Sequence, residues 1–299
     1  MLPRRFQVGY NRAMLRPLFF LLSVLSLIAA VQCFSEQAPP PASAARILLL
    51  PKLIVAGETA TLSVLDVNGR LTPGVTVNFS SGEHVVTNTT GRALFVAPSK
   101  AGVVYATIGS RSARVYTTIL TNAEVSSSSL QVSAAPEFAS LSDRFELAGS
   151  GFCGDADANS VRVGGKAALV LASSRAAVIA LPPADLAPGR ADIEASCGKR
   201  SAPTFSITFV DLSLDADSSP LGPGEHRTLT VGVRGTAAKV PLEARNLSPT
   251  VADLSGGNPA KTFSSGGAEN AARFELVGRE RGNFLISVRL LPTPTPLRR

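Results

Sequence analysis

Three cysteines, two histidines and one acidic loop are the residues of this 299-residue sequence with chemistry to offer beyond packing. Cys33 closes an apolar leader, whereas Cys153 and Cys197 fall in one later segment and are the only thiols left once the leader is removed. In an oxidising compartment such a pair is expected to form a disulfide, the plainer alternative being two free thiols. Between them Asp155, Asp157 and Asn159 present oxygen atoms at alternate positions, which is how a calcium loop opens. The rest of that motif is missing: Ser160 stands where a glycine is needed and Lys166 where a bidentate glutamate is needed. A solvated loop with Asx turns is the expectation. His84 and His226 sit in different expected domains, and the sequence holds neither HExxH spacing nor a Gly-x-Ser-x-Gly elbow. No catalytic residue, metal site or cofactor is therefore expected, and the scattered carboxylates read as the wet faces of strands.

The N-terminus states a compartment. Arg4, Arg5, Arg12 and Arg16 precede an apolar run from Leu18 to Val31, and Ala29 and Ala30 offer a cleavage site, so residues 1–33 read as a signal peptide. The run is shorter than the roughly 20 apolar residues of a spanning helix. Membrane contact is thus expected only through an uncleaved leader or an acylated Cys33, and Gln32 places a bulky amide where a lipobox has a small residue. Met14 followed by Leu15-Arg16 would make a more compact start, so initiation at Met1 or at Met14 stays open. The leader carries four arginines and no acid, so its loss leaves 25 basic against 22 acidic residues and lowers the net charge from +7 to +3. No Lys or Arg run remains to track phosphates, so nucleic acid is not an expected partner.

The elements that must position the cysteines and the acidic loop read as strands. Residues 34–44, with Pro39-Pro40-Pro41, form a solvated spacer. In 45–120, Ala60, Leu62 and Val64 alternate with Thr59, Thr61 and Ser63, Asn68-Gly69 supplies a turn, and Val75, Val77 and Phe79 alternate with Thr76 and Asn78. One apolar face per strand calls for two packed sheets. A join with Ser126 to Ser129 leads into 130–210, where Phe145 and Leu147 point inward, Gly164-Gly165 reverses the chain, Pro182-Pro183 ends a strand, and Ile193, Ala195, Ile207 and Phe209 form inward rows. Residues 212–291 repeat the pattern more faintly through Leu229, Val231, Val233, Phe274 and Leu276. Pro241 assigns its strand to a sheet edge. The tail 292–299, with Pro294 and Pro296, is expected to be disordered.

Two resemblances follow from these residues. Ala56-Gly57-Glu58-Thr59, Asp66-Val67-Asn68-Gly69, Gly74-Val75-Thr76-Val77 and Thr90-Gly91-Arg92-Ala93 resemble the bacterial Ig-like domains of invasin and intimin type. Gly149-Ser150-Gly151-Phe152, Val161-Arg162-Val163-Gly164-Gly165-Lys166-Ala167, Leu181-Pro182 and Gly189-Arg190-Ala191-Asp192-Ile193 are similar to the IPT/TIG domain, although Leu141-Ser142-Asp143 replaces the usual paired glycines. Together they imply an all-β protein of tandem immunoglobulin-like β-sandwich domains after the signal segment. In that topology the second and sixth strands run the same way, which brings Cys153 and Cys197 to one end. The bacterial resemblance also makes the sequons at Asn78, Asn88 and Asn246 coincidental.

The expected function is non-catalytic binding or adhesion at the bacterial cell surface, in the periplasm or outside the cell, with a protein or glycan ligand. Ser150, Phe152, Asp155, Asp157 and Asn159 beside the Cys197 turn are the first contact surface to consider, by analogy of fold. A structural spacer in an envelope assembly is the second expectation. A carbohydrate-binding accessory protein is the third, weakened by the absence of Trp and by only three Tyr, one of them Tyr10 in the leader.

Overall fold

The computed structural model describes residues 46–109, 114–125, 129–215 and 219–291, and the backbone of 294–296. Residues 1–33, expected to be a signal peptide, and the expected spacer 34–44 lie outside the described residues. Among those described, no helix is long and apolar enough to cross a membrane.

The first sandwich contains β1 (Ile47–Leu49), β2 (Leu53–Val55), β3 (Thr59–Leu65), β4 (Thr76–Phe79), β5 (His84–Val86), β6 (Arg92–Val96), β7 (Gly102–Ile108) and β8 (Val115–Leu120). One sheet runs β1-β3-β6 and the other β2-β8-β7-β4-β5. The chain changes sheets at Pro51, which has no ladder donor to lose: β1 lies antiparallel to β3, and β2 lies parallel to β8. Ile54, Leu62, Val64 and Val77 fill the space between the sheets, with the rings of Phe79 and Phe95 at 4.9 Å. The turn at Asn68-Gly69 is wider than a two-residue reversal. The Asp66 amide donates to the Arg70 carbonyl at 2.8 Å, and Gly69 takes φ 76°. The Asp66 carboxylate accepts the amides of Arg70 and Asn68, and the Arg70 amide above all holds its pKa below the ordinary value.

The second sandwich repeats the plan in β9 (Gln131–Pro136), β10 (Phe138–Ser140), β11 (Phe145–Ser150), β12 (Asn159–Val163), β13 (Lys166–Ser174), β14 (Ala177–Leu181), β15 (Gly189–Cys197), β16 (Arg200–Ser201) and β17 (Phe205–Asp215). Its first strand is again divided, since β9 is antiparallel to β11 while β10 is parallel to β17. Gly164 and Gly165, at φ 56° and 77°, make a two-residue reversal between β12 and β13. A register shift at Val170/Ala172 accompanies the passage of β13 from β12 to β14, so the two sheets join through one strand. Leu147, Ile193, Ile207 and Phe209 are sealed in the core, where Phe145 meets Phe209 edge-on at 5.5 Å.

No linker separates the third sandwich. β17 pairs with β15 through Phe205–Phe209, and its continuation, Asp211–Asp215, pairs with β18 (His226–Arg234). Then come β19 (Pro241–Asn246), β20 (Ala252–Leu254), β21 (Ala260–Phe263), β22 (Ala271–Gly278) and β23 (Ile286–Leu290). The sheets are β17-β18-β22-β20 and β21-β19-β23, packed around Leu229, Val231, Leu242, Phe274 and Leu276. The edge assignment for Pro241 needs correction, because β19 is the central strand. Pro241 is its first residue, where no donor is required, and its carbonyl accepts the Leu291 amide at 3.0 Å. Of the tail expected to be disordered, β24 (Pro294–Pro296) lies antiparallel on β9; residues 292–293 and 297–299 are outside the description.

Candidate functional site

Cys153 and Cys197 are joined, with their Cα atoms 5.7 Å apart. The acidic loop is built around the Asn159 side chain. Its Nδ2 donates to the carbonyls of Cys153 and Asp155 at 2.8 and 2.9 Å, and its Oδ1 accepts the Cys153 amide at 2.9 Å. Asp155 caps a single helical turn over Ala156–Ala158 by accepting the Asp157 amide at 3.0 Å. These are Asx contacts of the kind expected of the loop, and they engage Asp155 Oδ1 and Asn159 Oδ1. Among the described residues no three His, Cys, Asp or Glu side chains gather as a metal site.

The first sandwich presses against this loop. The Gly154 carbonyl accepts the hydroxyls of Thr61 and Ser173 at 2.8 and 2.9 Å, and the Ala156 amide donates to Thr61 Oγ1 at 3.1 Å. Arg92, its side chain 10% exposed, reaches from β6 to Asp157 Oδ1 at 2.6 Å and to the Val170 carbonyl at 2.5 Å. A Cβ on Gly154 would lie 1.9 Å from the Thr59 carbonyl oxygen, so only glycine permits the approach. Alongside, Leu49 and Leu65 of the first sandwich bury themselves against Leu171, Ala172 and Ile179 of the second.

The expected contact residues therefore divide by environment. Phe152 is 2% exposed within the core and Asn159 is 8% exposed, so both hold the loop from inside. Ser150 is half-buried on β11 opposite Gln131. Asp157 is spent on Arg92. Asp155 remains exposed at a notch of about 480 Å³ that it shares with Glu58, Arg175 and Arg200. Arg175 Nη1 pairs with Glu58 at 2.5 Å, and Arg200 Nη2 lies 2.9 Å from Cys197 Sγ.

A larger cleft, about 560 Å³, opens where the three sandwiches meet. Its walls include Lys52 and Tyr116 of the first, Arg144 and Glu146 of the second, and Leu212 and Arg289 at the third. The Lys52 amide donates to Glu146 Oε1 at 3.0 Å, and its Nζ stands 3.9 Å from Oε2. Burial nevertheless raises the Glu146 pKa, and the Lys52 amide and charge oppose the rise. Arg289 donates through Nε and Nη2 to Glu243 Oε1 at 3.0 and 2.7 Å. Paired charges around an open hollow can accept hydrogen bonds from a ligand and donate to it. The sequence carries no motif for this cleft, because its walls come from six separate segments between Leu48 and Leu290.

The divided first strands, the paired sheets and the strand shared by successive sandwiches define a class, a tandem immunoglobulin-like β-sandwich protein. No protein-family model matches the chain, and no curated protein matches it in sequence. Among solved structures it is similar to the Bacteroides ovatus mixed-linkage glucan utilization locus SGBP-B in complex with mixed-linkage heptasaccharide, at 13% identity and TM-score 0.35, covering 80% of this chain and 74% of that one. It is also similar to the plexin A4 extracellular region, at 9% identity and TM-score 0.33, covering 84% of this chain but only 33% of plexin A4. For Sidekick-1 immunoglobulin domains 1–4 the values are 12%, TM-score 0.24, 79% and 76%. Likenesses this distant carry no argument about ligand or role.

Proposed function

We propose that the chain is an exported bacterial protein with a non-catalytic binding or adhesion role at the cell surface or in the periplasm, its middle sandwich an IPT/TIG domain and its first a bacterial Ig-like domain. The observation that carries this reading is the cleft of about 560 Å³ where the sandwiches meet, with Lys52, Tyr116, Arg144, Glu146 and Arg289 on its walls. A preformed hollow with a few polar groups on its walls is what a recognition site requires. The leader with Arg4, Arg5, Arg12 and Arg16 supports export.

Screening the purified protein against surface proteins and polysaccharides tests the role. Saturable binding that Arg144→Glu weakens about tenfold or more, a loss of roughly 1.4 kcal/mol, is the expected outcome. Silence against every ligand would instead favour a structural spacer.

A further inference from the structure

Both tyrosines beyond the leader face solvent from adjoining positions of one sheet. Tyr105 on β7 and Tyr116 on β8 are register partners, 44% and 57% exposed, and Val103 beside them is 55% exposed. Residues directly opposite in an antiparallel pair share a face, with Cβ atoms about 4.5–5.5 Å apart. Two residues along β7, Thr107 stands opposite Asn78 of β4, and Asn78 opposite His84 of β5, so three polar side chains form a row beside the aromatic pair. The step between the rows is about 7 Å from the strand rise, the scale of one pyranose ring.

None of these six side chains is a carboxylate, lysine or arginine, on a chain with 29 basic and 22 acidic residues. Two exposed rings beside a row of hydrogen-bonding side chains complement a hydroxyl-rich ligand, and the exposed Arg114, two residues before Tyr116, stands at the margin of the face where it meets the cleft. Tyr116 also lines the inter-sandwich cleft, so the face runs on into the hollow described above.

We propose that the outer face of β4, β5, β7 and β8 binds a neutral oligosaccharide. The C–H faces of its rings stack on Tyr105 and Tyr116, and its hydroxyls bond to Asn78, Thr107 and His84. This names a ligand class for the binding role proposed above and rests on that reading.

The chain contains no Trp, and its third tyrosine is Tyr10 in the leader, so the tyrosine emission of the leader-free protein reports on this face alone. Titration with hydroxyethyl cellulose, dextran and soluble starch should give a saturable emission change with at least one of them, and retardation in a native gel that contains it. Tyr105→Ala and Tyr116→Ala should each weaken retardation about tenfold or more. Tyr105→Phe and Tyr116→Phe should retain most of it, because the ring remains. The emission titration needs no variant, so it stands even where a substitution disturbs folding. Absence of both signals with all three polysaccharides would overturn the inference, as would retardation that survives the double alanine variant. Saturable binding of a protein ligand unaffected by Tyr105→Ala would also overturn it, while leaving the binding role intact.

Discussion

Thr61 and Ser63 are neighbours on the same face of β3, and the fold treats them oppositely. Both are buried, at 3% and 0% exposure. The Thr61 hydroxyl donates to the Gly154 carbonyl and accepts the Ala156 amide, while among the described residues the Ser63 hydroxyl has no partner. A buried hydrogen-bonding group left unsatisfied costs about 1–3 kcal/mol. Thr61→Val keeps the shape but leaves the Ala156 amide without its acceptor, while the Gly154 carbonyl keeps the Ser173 hydroxyl, so it should destabilise by about 1–3 kcal/mol. Ser63→Ala removes a desolvated hydroxyl and should be neutral or stabilising by about 1 kcal/mol. Chemical denaturation of the two variants checks the pair, and a larger loss for Ser63→Ala than for Thr61→Val would contradict it. The alternation of Thr59, Thr61 and Ser63 with Ala60, Leu62 and Val64 shows in the sequence which face of β3 enters the core. It does not show that the polar face is dry too, because the group that covers it, Gly154, lies 93 residues away from Thr61.

Among the elements, the loop between β11 and β12 joins the first two sandwiches by hydrogen bonds with Thr61 and an ion pair with Arg92. The disulfide ties its start to the end of β15, where Asn159 and Cys197 are register partners, and Thr61 and Arg92 hold its middle. Cross-linking residues 44 apart in sequence stabilises a fold by roughly 3–4 kcal/mol when the stabilisation is ascribed to the unfolded chain. The double substitution Cys153→Ala and Cys197→Ala should lose about that much, and amide exchange should speed up at Ala156 as well as near the cysteines. Exchange confined to the β15 end would mean that the loop is held by the first sandwich without help from the bridge. The cysteine pair is legible once residues 1–33 are read as a leader, because only two thiols remain beyond them. The role of Arg92 was not, since a lone arginine after Thr90-Gly91 looks like any exposed turn residue.

Over the whole molecule, the sandwiches share strands and surfaces. β17 serves the second and third, β13 bridges to β3 through Ser173 and Thr61, and β24 returns from the C-terminal end to β9. Glu146 lies at the meeting of the first two sandwiches beside the amide and charge of Lys52, and burial raises its pKa above 4.5. With the folded value above the unfolded one, its contribution to stability is complete below about pH 4.5 and is lost as pH rises through the folded pKa. Thermal melts of wild type and Glu146→Gln across this range should show the wild-type advantage shrinking as pH rises. An advantage that grows with pH would mean that the attraction of Lys52 outweighs burial.

The same division runs through the fold and the candidate sites. Residues 212–291 were legible as strands, but β20 and β21 went unread because each is short and lies beside glycine-rich loops. Tyr105 and Tyr116 are eleven positions apart in a chain poor in aromatics, and only the register of β7 on β8 sets them side by side. The sequence by itself determined the all-β character, the sheet faces, the turn at Gly164-Gly165, the strand end at Pro182-Pro183 and the cysteine pair, because alternation, positive φ and missing donors act over a few residues. Only the tertiary structure decided which polar faces are covered, which charges meet in the cleft and which tyrosines share a surface, because those depend on contacts between segments tens of residues apart.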